Sequence, residues 1–295
     1  MSFKEQMNEK VEYIEKVIAS YLPAEEGMQK TIFSACNYSI LVGGKRLRPL
    51  IMLETYRLFG GSGKEIEPFL AAIEMIHTSS LVHDDLPCMD NDEYRRGKKT
   101  TWVTYGYDMA VLAGDALLTY AFEVACKAFA YTAKAERVGQ AIQILANKTG
   151  IYGMIGGQTV DVELTDKPMN KEQLDFVYRL KTGALLEASM MIGAVLAGAN
   201  ELQIKQMEAI ATKVGLAFQI RDDILDLTST TEQLGKPVGS DEKNNKTTYV
   251  TLEGLEKSIS DVETLSEDAV SDLKEISGGD NFLLNLIKML ITRDK

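Results

Sequence analysis

The sequence predicts an all-α protein, and three observations carry that prediction. Apolar residues recur at spacings of three and four, as in Met7, Val11, Ile14 and Ile18, and again in Met207, Ile210, Val214, Ala217, Ile220, Ile224 and Leu227. No run alternates between apolar and polar residues with hairpin turns to close it, so nothing establishes a sheet. No linker rich in Pro, Gly or Ser divides the 295 residues, which predicts a single domain over residues 1–295 with a large core. A helical bundle of this kind holds its ligand between facing helices, in a central cavity.

Taken in order, the first helix carries the Met7 to Ile18 stripe and stops before Pro23. Gly43-Gly44 ends one helix and Pro49 begins the next. Between them Lys45, Arg46 and Arg48 read, on their own, as solvated turn charges. An apolar helical run then leads into His83-Asp84-Asp85-Leu86-Pro87-Cys88-Met89-Asp90-Asn91-Asp92-Glu93, with Arg95-Arg96-Gly97 close behind. On a continuous helix Asp84 and Asp90 would be rotated roughly 240° apart. Pro87 disfavours continuation, and a helix ending in a turn here swings Asp90 back towards Asp84.

Gly114-Asp115-Ala116-Leu117-Leu118 opens a long helix, with Asp115 in its first turn as a cap or polar core contact. Gly156-Gly157-Gln158 and Asp161 occupy another helix, where adjacent glycines cost stability unless helices pack closely or a ligand needs room. Lys181-Thr182-Gly183 interrupts an apolar helix, as a kink would. Asp222, Asp223 and Asp226 fall on the second stripe, with Asp222 and Asp226 one turn apart on one face. Residues 228–248 are rich in Thr, Ser, Gly, Pro and charge and read as a mobile loop. Acidic helices follow, and an apolar final helix, Phe282 to Ile291, serves packing.

Composition excludes several classes. A net charge of −11 leaves no domain-wide basic surface for nucleic acid. Cys36, Cys88 and Cys126 are scattered and odd in number, which reads as reduced, mostly buried thiols of a cytoplasmic protein. Residues 1–20 are rich in Lys and Glu and lack the apolar core of a signal peptide. The most apolar stretch, residues 184–199, is broken by Glu187 and too short to span a bilayer, so no stable membrane insertion is expected.

The acidic clusters carry the chemistry. Carboxylates beside helix-buried surface are costly unless something cationic joins them, and like charges one helical turn apart repel. Both facts ask for a shared divalent metal that receives an anionic ligand. Oxygen-only donors select hard cations, and one or two carboxylates with phosphate oxygens is the usual Mg²⁺ arrangement. The guanidinium groups of Arg95 and Arg96 suit bidentate phosphate binding. His83 beside Asp84 suggests a histidine-aspartate hydrolase, but that class needs several histidines and this chain has two.

These motifs resemble those of the trans-isoprenyl diphosphate synthases, in particular the bacterial short-chain farnesyl and geranylgeranyl diphosphate synthases. Asp84, Asp85 and Asp90 match Asp-Asp-x-x-x-x-Asp, and Asp222, Asp223 and Asp226 match Asp-Asp-x-x-Asp. Gly43-Gly44-Lys45-Arg46-Leu47-Arg48-Pro49, Arg95-Arg96-Gly97, Gly114 to Leu118, Gly157-Gln158 with Asp161, Lys181-Thr182-Gly183 and Gly235-Lys236 follow in family order. The resemblance implies an isoprenoid-synthase bundle that works as a homodimer and binds three Mg²⁺ per site. All six named aspartates would serve the metals. Lys45, Arg48, His77 and Arg96 would hold the diphosphate of isopentenyl diphosphate. Gln158 and Asp161 would help line the active cavity, Lys181 and Thr182 would lie beside the allylic substrate, and Lys236 and Lys246 would close over the allylic diphosphate as a lid.

The implied reaction is head-to-tail condensation. Mg²⁺ bridges Asp84, Asp90 and Asp222 to an allylic diphosphate, which ionises. Lys181, Lys236, Lys246 and Arg95 stabilise the departing diphosphate. Thr182 and Gln219 face the cation with oxygen dipoles, isopentenyl diphosphate attacks, and the released diphosphate takes the proton. Ser80 lies one turn, about 5.4 Å, before Asp84, with Ser79 beside it. Farnesyl synthases of bacteria often carry tyrosine at the position of Ser79, so serine implies a deeper cavity and a C20 product in preference to C15. Met52, Tyr56 and Met75 are alternative floors. One departure stands out: Lys99 and Trp102 occupy the neighbourhood where the family commonly has proline and histidine. The alternatives are a class I terpene cyclase and a non-catalytic subunit of a heteromeric prenyl synthase.

Overall fold

The computed structural model describes residues 2–228, 247–279 and 281–291. It divides into two compact units, one of Met1–Ile142 with Leu196–Gly198 and one of Gln143–Val195 with Ala199–Lys295. The expected all-α class holds: among the described residues the only sheet is one pair of two-residue strands.

The first unit is built around one helix. Helices α1 (Phe3–Ser20), α2 (Lys30–Leu41) and α3 (Leu47–Leu58) lead to α4 (Glu67–Asp84). Every residue of α4 from Phe69 to Ile76 is buried, Glu74 included. A helix without a polar face belongs in a core, and α1, α2, α3 and α6 (Tyr107–Cys126) pack around it. Glu74 needs a counter-ion there, and Arg46 supplies it. Its Nη1 lies 2.6 Å from Glu74, its Nε 2.7 Å from Glu15, and Nη2 donates to the Ile40 carbonyl at 2.7 Å. Arg46 is therefore a buried tie between α1, α4 and the end of α2, not a solvated turn charge.

Two further expectations change in this unit. Helix α6 starts at Tyr107, because Gly106 with φ 97° already turns the chain out of α5 (Thr101–Tyr105). Gly114 lies inside the helix, where a Cβ would overlap the His83 imidazole; glycine there permits close approach of α4 and α6. Asp115 is accordingly an exposed mid-helix residue, 3.7 Å from His83 Nε2, neither cap nor core contact. The cysteines are free as expected, but only Cys36 is buried while Cys88 and Cys126 are exposed.

The second unit contains α8 (Met154–Glu163), α9 (Lys171–Val177), α10 (Ala184–Ala197), α11 (Glu201–Thr228), α12 (Tyr249–Glu253), α13 (Leu255–Ser277) and α14 (Phe282–Ile291). The division between units falls within α7 (Ala135–Thr149) and again at the end of α10, whose last two residues, Leu196 and Ala197, belong to the first unit. Helix α11 packs along α13, and the apolar last helix buries Leu283, Leu284, Leu286, Ile287, Leu290 and Ile291. Between α9 and α10 the chain is π-helical over Tyr178–Gly183. Residues 184–197 thus end a longer helical run, Lys171–Ala197, which is long and apolar enough to cross a membrane on length and composition. Length alone does not exclude that, but 72% of its most apolar window is buried, as in a core helix. Glu187 within it is fully buried, ion-paired to Lys148 and accepting from Thr212 Oγ1 at 2.7 Å.

Candidate active site

In the first unit a tight hairpin builds a cationic pocket. Strands β1 (Tyr94–Arg95) and β2 (Lys98–Lys99) pair antiparallel, and the two residues joining them, Arg96 and Gly97, have φ of 52° and 75°. Both signs are what a type I′ turn demands. Arg96 holds a conformation that side chains other than glycine rarely adopt, a form of strain common at functional sites. Its guanidinium donates to the Gly43 carbonyl. A Cβ on Gly44 would lie 2.5 Å from Arg96 Nη1, so a side chain there would displace the guanidinium. The departing residues Lys99 and Trp102 serve the same hairpin: Lys99 pairs with Tyr94, and Trp102 Nε1 donates to the Asp92 carbonyl at 2.8 Å.

Gly44, Lys45, Arg48, Glu74, His77 and Arg96 wall a cavity of about 520 Å³. Burial pushes the Arg48 guanidinium below its ordinary value, Arg96 adds repulsion, and Glu74 opposes both. Arg48 Nε is buried with no hydrogen-bond partner among the described residues. Burial, then the charges of Arg48 and Arg96, hold His77 well below the usual imidazole range, so it is neutral at pH 7. A cavity walled by Lys45 and the guanidinium groups of Arg48 and Arg96 suits an anion that accepts from them.

Helix α4 ends at Asp84, and the chain folds back after Pro87. Asp90 N donates to the Asp84 carbonyl at 2.9 Å and Asn91 N to that of Leu86 at 3.1 Å. The turn alternative for Asp90 is the one adopted. Asp84 is half-buried and Asp90 exposed, whereas Asp85 is only 3% exposed. Arg95 grips Asp85, with Nε at 2.7 Å and Nη2 at 2.5 Å from Oδ1. Burial raises the Asp85 carboxyl from its ordinary value, with Arg95 opposing. His83 turns towards α6, its Nε2 3.2 Å from the Val111 carbonyl. Ser79 is buried, its hydroxyl donating to Ile76 O, and Ser80 is half-buried, donating to His77 O. Met52, Tyr56 and Met75 are all buried; Tyr56 donates to Glu65 at 2.7 Å.

In the second unit the π-helical segment presents Lys181 and Thr182. Lys181 Nζ lies 2.5 Å from Asp161 Oδ2, and the Thr182 hydroxyl donates to Gln219 Oε1 at 3.1 Å. A Cβ on Gly157 would overlap the Lys181 backbone nitrogen, so close packing of α8 on this segment accounts for that glycine. Asp222 and Asp226 are one turn apart on the regular helix α11, Asp222 half-buried and Asp226 buried. Asp223 is buried and accepts from the Tyr178 hydroxyl at 2.5 Å and from Tyr249 N at 2.8 Å. Asp161, Tyr178, Lys181, Thr182, Gln219 and Asp223 are among the walls of a cavity of about 150 Å³. Tyr178 carried no signal in the sequence beyond standing three residues before Lys181. Lys236 and Lys246 lie outside the described residues.

Among the described residues no three His, Cys, Asp or Glu side chains form a metal cage by themselves. The acidic motifs offer oxygen donors only, one or two at a time. That donor set fits Mg²⁺, which keeps water and substrate phosphate for its remaining positions.

An all-α chain with a guanidinium-lined anion pocket and two acidic motifs of this kind is built for diphosphate chemistry. The family model described as polyprenyl synthetase matches residues 29–277. A geranylgeranyl diphosphate synthase of Cyanophora paradoxa is 43% identical over 90% of this chain and 88% of its own length. A farnesyl diphosphate synthase of Geobacillus stearothermophilus is also 43% identical, over 86% of each chain. The crystal structure of an apo FPP/GFPP synthase from Zymomonas mobilis superposes with a TM-score of 0.85 at 32% identity, covering 99% of both chains. That of the Helicobacter pylori geranyltransferase, complexed with magnesium and isoprenyl diphosphate, gives 0.81 at 33% identity, over 99% of this chain and 97% of its own. The chain belongs to the polyprenyl synthetase family.

Proposed function

We propose that the pocket of Lys45, Arg48, His77 and Arg96 holds isopentenyl diphosphate, and that Asp84, Asp90 and Asp222 bind an allylic diphosphate through Mg²⁺. The chain is a short-chain trans-prenyltransferase of the farnesyl and geranylgeranyl diphosphate synthase type, making C15 or C20 products. The observation that carries the site reading is Arg48, which walls a cavity with a neutral His77 and the strained Arg96 and whose buried Nε has no hydrogen-bond partner among the described residues. In this reading residues 1–295 act as one domain, in the cytoplasm, as a homodimer with three Mg²⁺ per site.

When bound, Mg²⁺ acts as Lewis acid and template for the leaving diphosphate. The side chains do the rest. Lys181, set by Asp161, joins Arg95, Lys236 and Lys246 in stabilising the charge that develops on that leaving group. Asp85 holds Arg95 in place for this, and Asp223 and Asp226 complete the second acidic motif. Thr182 and Gln219 turn oxygen dipoles towards the allylic cation. The double bond of isopentenyl diphosphate attacks that cation, and the proton it then loses passes to the released diphosphate.

Within the C15 to C20 range we assign C20. Support comes from the first unit, where an apolar cavity of about 110 Å³ is lined by Met75, one turn from Ser79, with Ile40, Leu117 and Tyr120. A terpene cyclase has no use for a second anion pocket, and a non-catalytic subunit typically lacks one of the two acidic motifs. Two variants test the two-site reading. Arg48→Ala should raise KM for isopentenyl diphosphate about tenfold or more and leave that for the allylic substrate unchanged. Asp222→Asn should lower kcat and weaken the allylic side alone. Equal effects of each variant on both substrates would overturn the assignment.

A further inference from the structure

One buried contact in the second unit joins the acidic motif to the segment that carries Lys181. Asp223 Oδ2 accepts from the Tyr178 hydroxyl at 2.5 Å and from the Tyr249 backbone N–H at 2.8 Å. Tyr178 is the first residue of the π-helical segment, and Tyr249 is the first of α12. One carboxylate oxygen therefore ties together three elements: α11, the π-helical segment and α12. The segment's other polar groups are also engaged across elements, Lys181 with Asp161 of α8 and Thr182 with Gln219 of α11. The ring of Tyr178 sits in the apolar cluster with Leu174, Val177, Ile220 and Ile224. Cohesion alone does not call for a carboxylate in such surroundings, because burying it costs free energy that an apolar side chain of similar volume avoids.

We propose that Tyr178 is a positioning residue for the second acidic motif: its hydroxyl fixes Asp223, and through it the register of Asp222 and Asp226 against Lys181 and Thr182. This rests on the assignment of those residues to the allylic diphosphate. A π-helical turn is a rare conformation, common at functional sites, and the Tyr178 bond to α11 holds its first residue in place. The Tyr249 contact is made by the backbone, so the side chain of Tyr249 is not required for it. Its own hydroxyl is engaged elsewhere, with Lys171 at 2.9 Å and Asp261 at 2.8 Å.

Tyr178→Phe tests the proposal, since the ring and its packing remain. The probe is geranyl S-thiolodiphosphate, an allylic diphosphate slow to ionise, titrated calorimetrically at several Mg²⁺ concentrations. Its affinity should fall about tenfold, with more Mg²⁺ needed for half-maximal binding, the loss of one hydrogen bond to a charged group. KM for isopentenyl diphosphate should stay close to wild type, the thermal midpoint should fall by only a few degrees, and Tyr249→Phe should bind the probe as wild type does. In the Asp223→Asn background, Tyr178→Phe should add no further loss. Unchanged probe affinity in Tyr178→Phe would overturn the proposal. So would losses that add independently in the double variant, or a loss shared equally by isopentenyl diphosphate. A wild-type protein with no magnesium-dependent probe binding would sink the functional assignment and this inference with it. Failure of the variant against a binding wild type sinks the inference alone.

Discussion

Gly44 leaves no room for a side chain beneath Arg96: a Cβ there would stand 2.5 Å from Nη1 and 2.8 Å from Cζ. The arginine is held in a left-handed hairpin turn and bonded to the Gly43 carbonyl, and a side chain on Gly44 would push its guanidinium off that carbonyl. Gly44→Ala should therefore lower kcat/KM for isopentenyl diphosphate about 10- to 100-fold, the usual cost of misplacing a binding group by about 1 Å. Steady-state kinetics with the allylic substrate saturating would show it. Wild-type kinetics in Gly44→Ala would place Arg96 outside the binding site.

Asp85 acts differently from the other two members of its motif. It is buried in a two-point contact with Arg95, whereas Asp84 and Asp90 are accessible. Asp85→Asn removes the charge that fixes Arg95 and should reduce kcat at least about tenfold with little change in KM for isopentenyl diphosphate. A selective rise in that KM would instead tie Arg95 to the other substrate.

His77 makes stability depend on pH in a defined direction. In the folded protein its imidazole is held well below the ordinary value of 6.5, first by burial and then by neighbouring arginines. Below pH 6.5 the unfolded chain takes up a proton that the folded protein refuses, so this residue's contribution is present above that pH and lost as pH falls towards the folded value. Denaturant melts between pH 5 and 6.5 should show wild type losing up to about 1.4 kcal/mol per pH unit more than His77→Gln. Parallel slopes for the two proteins would contradict a neutral His77.

Ser79→Tyr should shorten the product, because Ser79 lies one turn from Met75, which lines the apolar cavity, and the added ring would take up room on that side of α4. Product chromatography would show C20 replaced by C15. An unchanged distribution would remove Ser79 from control of length and leave Met75 or Tyr120 as the floor.

Much of this was legible from the sequence, because the relevant physics was local. Three- and four-residue spacing fixed the class, and Pro87 fixed the turn that returns Asp90 to Asp84. The misreadings involve partners far apart along the chain. Arg46 looked solvated because its acidic partners, Glu15 and Glu74, are 31 and 28 residues away. Gly114 looked like a helix start because the His83 ring that demands it belongs to another helix. Tyr178 was invisible for the same reason, with Asp223 lying 45 residues downstream. A π-helical turn also leaves no spacing signature that the apolar pattern around residues 171–197 would reveal.

The central claim is elongation of an allylic diphosphate by this chain acting alone. The most direct measurement incubates the purified protein with Mg²⁺, isopentenyl diphosphate and dimethylallyl, geranyl or farnesyl diphosphate in turn, then separates the products by chain length. Products that end at C20 from every starter, and vanish when the metal is chelated, are the predicted result. Folded protein that binds these diphosphates and elongates none of them would contradict it.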